Sequence, residues 1–188
     1  MKQDLLASLR AALVALLAFT VLTGLVYPLL VMGIGKAAFP HQAAGAPELI
    51  GQAFSGPGYF WSRPSALGPF PYNAMSSTGT NYGPNNPALH DQVAARAKAL
   101  READPGNTAP IPIDLVTSSA SGLDPHISPA AAEYQVGRVA RARGLSIDDV
   151  RGLIADHTEG RTFGVLGEAR VDVVALNRAL DAKSVRAR

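Results

Sequence analysis

Residues 11–35 read AALVALLAFTVLTGLVYPLLVMGIG, a run of 25 positions without one charged side chain. At ~1.5 Å per residue a helix of that length reaches roughly 37 Å, against a hydrocarbon core of about 30 Å. The run is therefore long enough to cross a bilayer with some tilt. A cleaved leader would carry a shorter apolar core of about 7–15 residues. The one small-x-small site just beyond it, Ala44-Gly45-Ala46, is followed by Pro47, which disfavours a cut there. The stretch reads as an uncleaved transmembrane helix. Lys2 and Arg10 precede it, Lys36 follows it, and the next basic residue is Arg63. That bias predicts residues 1–10 as a short cytoplasmic N-terminus, with the remaining chain extracytoplasmic and the protein single-pass in the cell (inner) membrane. Pro28 lies inside the span and predicts a kink, because its ring blocks one helical hydrogen bond. Thr20 and Gly24 form a small-xxx-small pair that lets another helix approach closely, so Thr20, Gly24 and Pro28 are the expected transmembrane packing positions.

The chain has 188 residues, no cysteine, and 17 Lys/Arg against 15 Asp/Glu. The absence of cysteine excludes disulfides, thiol nucleophiles and thiolate metal sites. Lys2, Arg10 and Lys36 against Asp4 account for the whole net charge of +2, and the rest of the chain is balanced at 14 basic and 14 acidic residues. A neutral body offers no electrostatic footprint for a nucleic acid.

Residues 36–47 are small and read as a linker, leaving 48–188 as a soluble domain. Leu49–Phe54 and Tyr59–Trp61 read as short strands separated by Ser55-Gly56-Pro57-Gly58. Of the 24 residues from Pro64 to Pro87, 15 are Pro, Gly, Asn or Ser, which leaves no regular element. Phe70, Tyr72, Met75 and Tyr82 argue that this long loop is nevertheless ordered. Four helices follow from their caps. The first starts at Asn86-Pro87 and ends before Pro105. The second runs from Ser128-Pro129 to Gly144. The third starts at Ser146 with Asp149 three positions on, resembling a capping box. The fourth covers Asp172–Asp181. Ile111–Val116 alternates like an edge strand, with Pro112 near its start. The class is α+β: one transmembrane helix followed by a small α+β domain.

No self-sufficient active site emerges. Neither phosphate-binding glycine motif is present, and Gly164–Gly167 lacks a following lysine. His41, His90, His126 and His157 do not pair at helical metal-ligand spacing, so no metal is expected. Ser121, Asp124 and His126 supply the residue types of a serine hydrolase without a nucleophile elbow. An anchored hydrolase using Ser121 and His126 is the alternative reading. Arg161, Glu168 and Arg170 flank the Gly164–Gly167 turn and either pair together or present charge to a partner.

Four long stretches carry a resemblance: LIGQAFSGPGYFWSRPSA (49–66), YNAMSSTGTNYGPNNP (72–87), PIDLVTSSASGLDPHISPAAAEYQVGRVARARGL (112–145) and RTFGVLGEARVDVVALNRALD (161–181). With the apolar helix they cover nearly the whole chain, and they resemble the C subunit of the Kdp-type potassium-transporting ATPases. Tyr82 stands where leucine is usual in that family, Ala120 where glycine is usual, and Asp172 where asparagine is usual. The resemblance implies a complex in which a channel-like subunit binds potassium and a P-type ATPase subunit hydrolyses ATP. This chain lacks the D-K-T-G phosphorylation motif, so the resemblance implies a non-catalytic accessory subunit that assembles and stabilises the complex. It also implies a catalytic-chaperone role in ATP use, with ATP and potassium reaching the chain only through the complex. The expected partner-docking surface comprises the 64–87 loop and the 117–128 segment, with Tyr72, Asn73, Asn81, Gly83, Asn85, Ser121, Asp124 and His126, together with Arg161 and Glu168.

Overall fold

A computed structural model describes residues 2–40 and 49–186. Residues 41–47 of the expected linker, with His41 and the Ala44–Ala46 site, lie outside the described residues. The chain divides into two units, residues 1–47 and 48–188.

The first unit is one helical rod: α1 (Lys2–Val21), a π-helical turn (Leu22–Val26) and α2 (Tyr27–Ala38). The most apolar 18-residue window within Leu5–Ala38 has a mean hydropathy of 2.3, and none of that window is buried. Among the described residues this is the one helix long and apolar enough to cross a membrane. The wide turn sits directly before Pro28, at the second position of α2. Pro28 has no N–H to offer the preceding turn and its ring crowds the carbonyl four residues back. Widening the rod relieves both, and Tyr27 N–H donates to Leu22 O, five residues back. Thr23 Oγ1 donates back to Phe19 O at 2.7 Å, the bond by which a hydroxyl satisfies itself inside an apolar helix.

The second unit contains four helices: α3 (Pro87–Ala103), α4 (Pro129–Arg143), α5 (Ile147–Asp156) and α6 (Val173–Arg186). Their starts follow local chemistry. Asn86 caps α3 by accepting from Ala88 N, Ser128 caps α4 by accepting from Ala131 N, and Ser146 caps α5 by accepting from Asp149 N. Gly144 ends α4 at φ 66°, a left-handed conformation open to glycine without penalty. Asp172 Oδ1 accepts from Ala175 N at the head of α6.

Three short strands form an antiparallel sheet in the order β1-β3-β2: β1 (His126–Ile127), β2 (Thr158–Glu159) and β3 (Arg170–Asp172). His126 opposes Asp172 and Thr158 opposes Val171. The core lies between the sheet and the helices. Val136 and Val139 of α4, Val150 and Ile154 of α5, Leu176 and Leu180 of α6, and Ile127 and Val171 of the sheet are all buried.

Two expected strands are absent. Leu49–Phe54 and Tyr59–Trp61 are irregular; in Tyr59–Trp61 side chains on helices satisfy the backbone where a neighbouring strand would have done so. Phe60 N donates to Asn177 Oδ1 at 2.8 Å, and Asn177 Nδ2 donates back to Phe60 O at 2.9 Å. Gln135 does the same for Trp61, accepting from its N at 2.8 Å and donating to its O at 3.2 Å. The buried Arg138 guanidinium donates to Pro57 O at 2.7 Å and Tyr59 O at 3.0 Å, and stacks 4.3 Å over the Trp61 ring. Burial lowers the Arg138 pKa to about 10.

The strand expected at Ile111–Val116 is instead a 3₁₀ turn at Ile113–Leu115. Leu115 and Val116 are both buried while Ile113 is exposed, which breaks strand alternation. The turn aims Asp114 at the head of α4, where its carboxylate accepts from Ser128 N at 2.7 Å and Ser128 Oγ at 3.2 Å.

Candidate functional site: a composite loop platform

The 64–87 loop and the 117–128 segment are laced into one surface. Ser119 N donates to Pro64 O, and Arg63 Nη2 donates to Ser118 O. Ser65 Oγ donates to Gly122 O at 2.7 Å while accepting from Leu67 N and Tyr72 N. Thr78 N and Ser77 Oγ both donate to Ser121 O, at 3.1 and 3.2 Å. Gly51 N donates to Leu123 O at 2.7 Å, which ties in the segment before the loop.

Two glycines make this close packing possible. A Cβ on Gly51 would lie 2.6 Å from the Tyr72 ring and 2.8 Å from Asp124 O. One on Gly122, at φ 69°, would lie 2.8 Å from the Leu67 side chain and 3.0 Å from Thr78 O.

Tyr72 is the internal post of the platform. Its hydroxyl donates to Arg63 O at 2.5 Å, and its backbone takes a left-handed φ of 59°. Burial raises the phenol pKa, and the nearby Asp124 charge pushes the same way against a hydrogen bond from Ser62. Asp124 joins three groups: Oδ1 accepts from His126 N at 3.0 Å and meets His126 Nδ1 at 3.2 Å, and Oδ2 pairs with Arg63 at 3.4 Å. A carboxylate facing Nδ1 assigns the proton of neutral His126 to that nitrogen.

The structure thus brings Tyr72, Ser121, Asp124 and His126 into one network. Asn73 Oδ1 accepts from Met75 N and shapes the loop locally. Asn81, Gly83 and Asn85 are exposed on the approach to α3, Asn81 at a left-handed φ of 52°. Arg161 and Glu168 pair with each other at 2.7 Å across a separate hairpin. Thr20, Gly24 and Pro28 lie on the apolar rod, where a Cβ on Gly24 would meet nothing within 4 Å among the described residues.

The alternative hydrolase finds no support in this geometry. Asp124 and His126 do meet, but Ser121 Oγ accepts from Leu123 N at 3.1 Å and shapes a turn. Among the described residues, no three His, Asp or Glu side chains converge to hold a metal ion. Within the ordered loop Phe70 is exposed, as is Met75 at 96% exposure, so its order does not come from burying either of them. Tyr72, buried Leu67 and the hydroxyl lacing hold it, while Phe70 and Met75 are displayed on its surface. Local sequence carries no signal for that difference, nor for Gln135, Arg138 and Asn177 as the struts of residues 56–61.

The model of the K+-transporting ATPase, c chain (KdpC) family matches residues 9–182. The chain belongs to this family. A relative from Sorangium cellulosum, named the potassium-transporting ATPase KdpC subunit, is 58% identical over 94% of this chain and 98% of its own length. Relatives of the same name from Polaromonas naphthalenivorans (59% identical, 93% of this chain and 94% of the relative) and Methylococcus capsulatus (56%, 92% and 96%) agree. Membership of the KdpC family makes this chain a subunit of a potassium-transporting ATPase complex. The composite platform and the uncovered helix are therefore surfaces of one part of a larger assembly.

Proposed function

We propose that this chain is the non-catalytic accessory subunit of an ATP-driven potassium uptake complex, anchored by residues 5–38 with its N-terminus cytoplasmic and its α+β domain outside. The observation that carries this reading is the platform itself: a long irregular surface held rigid by internal bonds, yet displaying Phe70 and Met75 to solvent. Ordered apolar display is the mark of a docking surface. The platform docks on the channel-like potassium-binding subunit, and the Thr20–Gly24 face of the helix packs against partner helices. With the body outside and ATP used inside, assistance to the P-type ATPase subunit is a coupling between distant sites, relayed through the membrane helix or the channel-like chain.

The test is recovery of the complex from potassium-starved cells through a C-terminal tag in mild detergent. A P-type ATPase and a channel-like chain in fixed ratio are expected; recovery of this chain alone would contradict the reading. Replacing Gly83 and Asn85 together should release the subunit in detergent, and retained assembly would rule out that part of the platform. A reporter fused to the C-terminus should read outside, and a cytoplasmic signal would reopen direct contact with nucleotide.

A further inference from the structure

The segment between β2 and β3 is a hairpin that the platform does not use. Thr162 and Leu166 pair across it, with Thr162 N donating to Leu166 O at 2.9 Å and Leu166 N to Thr162 O at 3.0 Å. Its tip carries three apolar side chains in four positions. Phe163 is 90% exposed, and Val165 and Leu166 are also exposed. Phe163 stands at φ 55°, followed by Gly164 at φ 75°. An aromatic residue held in the left-handed region costs about 1 kcal/mol or more, a strain that persists only where surrounding bonds impose it. The strained residue is the one whose ring is most exposed on the hairpin, not folded onto the domain.

The base of the hairpin is clamped twice, by Arg161–Glu168 at 2.7 Å and by Arg170–Glu159 at 2.6 Å. Beside it runs a groove of about 610 Å³, lined by Arg63, Asp124 and His126 from the platform side and by Glu168 and Arg170 from the hairpin side, with exposed Ile113 at its edge. The hairpin thus adjoins the platform through one continuous groove.

We infer that the 161–168 hairpin is a second docking element, a finger whose Phe163, Val165 and Leu166 insert into an apolar recess on another protein subunit of the complex. The inference rests on the accessory-subunit reading above. The charge pattern decides between a protein and a lipid surface. A lipid-facing tip is expected to carry uncommitted Lys or Arg for phosphate groups and Trp or Tyr for the interface. Here both basal arginines are neutralised by glutamates, and the tip has neither Trp nor Tyr. A neutral rim around an apolar centre is the pattern of a protein interface anchor. The two clamps also fix the finger before it binds, which lowers the ordering cost of association.

The experiment places a photo-crosslinking phenylalanine analogue at position 163 of the full chain, irradiates membranes containing the assembled complex, and identifies adducts. The same probe at exposed Ala142 on α4 is the control. A covalent adduct with a protein subunit from position 163 and none from 142 is expected. Val165→Ser with Leu166→Ser should cut that adduct several-fold while recovery of the partner subunits stays normal. Adducts with lipid only, or none, from a complex recovered in normal ratio would overturn the finger and leave the accessory-subunit reading standing. Loss of the partner subunits from the unsubstituted chain would bring both down.

Discussion

The α+β unit has two halves of nearly opposite construction. Residues 126–183 are helices and short strands around an apolar core of Val136, Val139, Val150, Leu176 and Leu180, with helix starts capped by neighbouring side chains. Residues 49–86 have almost no regular structure, yet they are tied down by side chains contributed from far along the chain. Asn177 and Gln135 clasp Phe60 and Trp61, Arg138 gathers Pro57 and Tyr59, and Ser65 and Ser121 lace the loop to the segment before β1. The regular half is ordered by burying area. The irregular half is ordered by burying polar groups in matched pairs, which costs stability steeply when one partner is removed. That division suits a subunit of a larger complex: the helical half is the frame, and the irregular half is free to take whatever outline a partner requires.

Four substitutions sharpen the contrast, and the single tryptophan, Trp61, reports on all of them from within the polar clasp. The largest effect is expected from Leu176→Ala in the apolar half. Removing a fully buried leucine costs about 2–5 kcal/mol, and denaturant unfolding of the full chain in mild detergent should lose that much in one cooperative step. Asn177→Leu, one position along α6, is nearly as costly at about 2–4 kcal/mol, because it strands two buried backbone groups of Phe60. Its signature differs: amide exchange should rise at residues 56–61 while α4 and α5 keep their protection. Equal loss across both halves would show that the two are not separately built. Gly51→Ala forces a methyl group against the Tyr72 ring and should cost about 1–3 kcal/mol, read as the same unfolding midpoint shift.

The smallest effect concerns pH. The Tyr72 phenol has its pKa raised above its ordinary 10.0 by burial. Below pH 10 both folded and unfolded states hold the proton and the full stability is present. As pH rises past 10 the unfolded chain ionises first, so stability falls until the folded phenol also ionises. A thermal melt between pH 9 and 11 should show that decline, with a shallower slope in Tyr72→Phe. An unchanged slope would mean the platform's post is not buried.

What could be read from the sequence divides along the same line. Asn86-Pro87, Ser128-Pro129 with Gly144, and Ser146 with Asp149 each announce a helix end, because a cap is a conversation between residues within a turn of one another. The apolar run at 11–35 was equally legible, since length and composition suffice, although the π turn before Pro28 was not. The sheet could not be read: its strands are two or three residues long, too short to express a period, and His126 finds its partner at Asp172. The stretches that did look strand-like, at 49–54, 59–61 and 111–116, fail for different reasons: Gly51 bonds the loop carbonyl of Leu123, Phe60 and Trp61 bond helix side chains, and Ile113–Leu115 closes into a 3₁₀ turn. In the platform, Tyr72, Asp124 and His126 are joined through Arg63, and Ser121 O takes the bonds of the 64–87 loop, links that span up to 61 residues and leave no local signal. Composition marks the 64–87 loop as ordered, but that Phe70 and Met75 are displayed on it is a distinction that only tertiary burial makes.

The central claim is that the irregular half is a preformed platform which a partner covers. Hydrogen exchange measured on the purified full chain, and again on the assembled complex, tests it most directly. In the free chain the bonded amides of Thr78, Ser119 and Gly122 should already exchange slowly. On assembly, protection should rise across residues 69–76, around Phe70 and Met75, while α4 is unchanged. Coil-like exchange of 64–87 in the free chain, or no change there on assembly, would contradict the account.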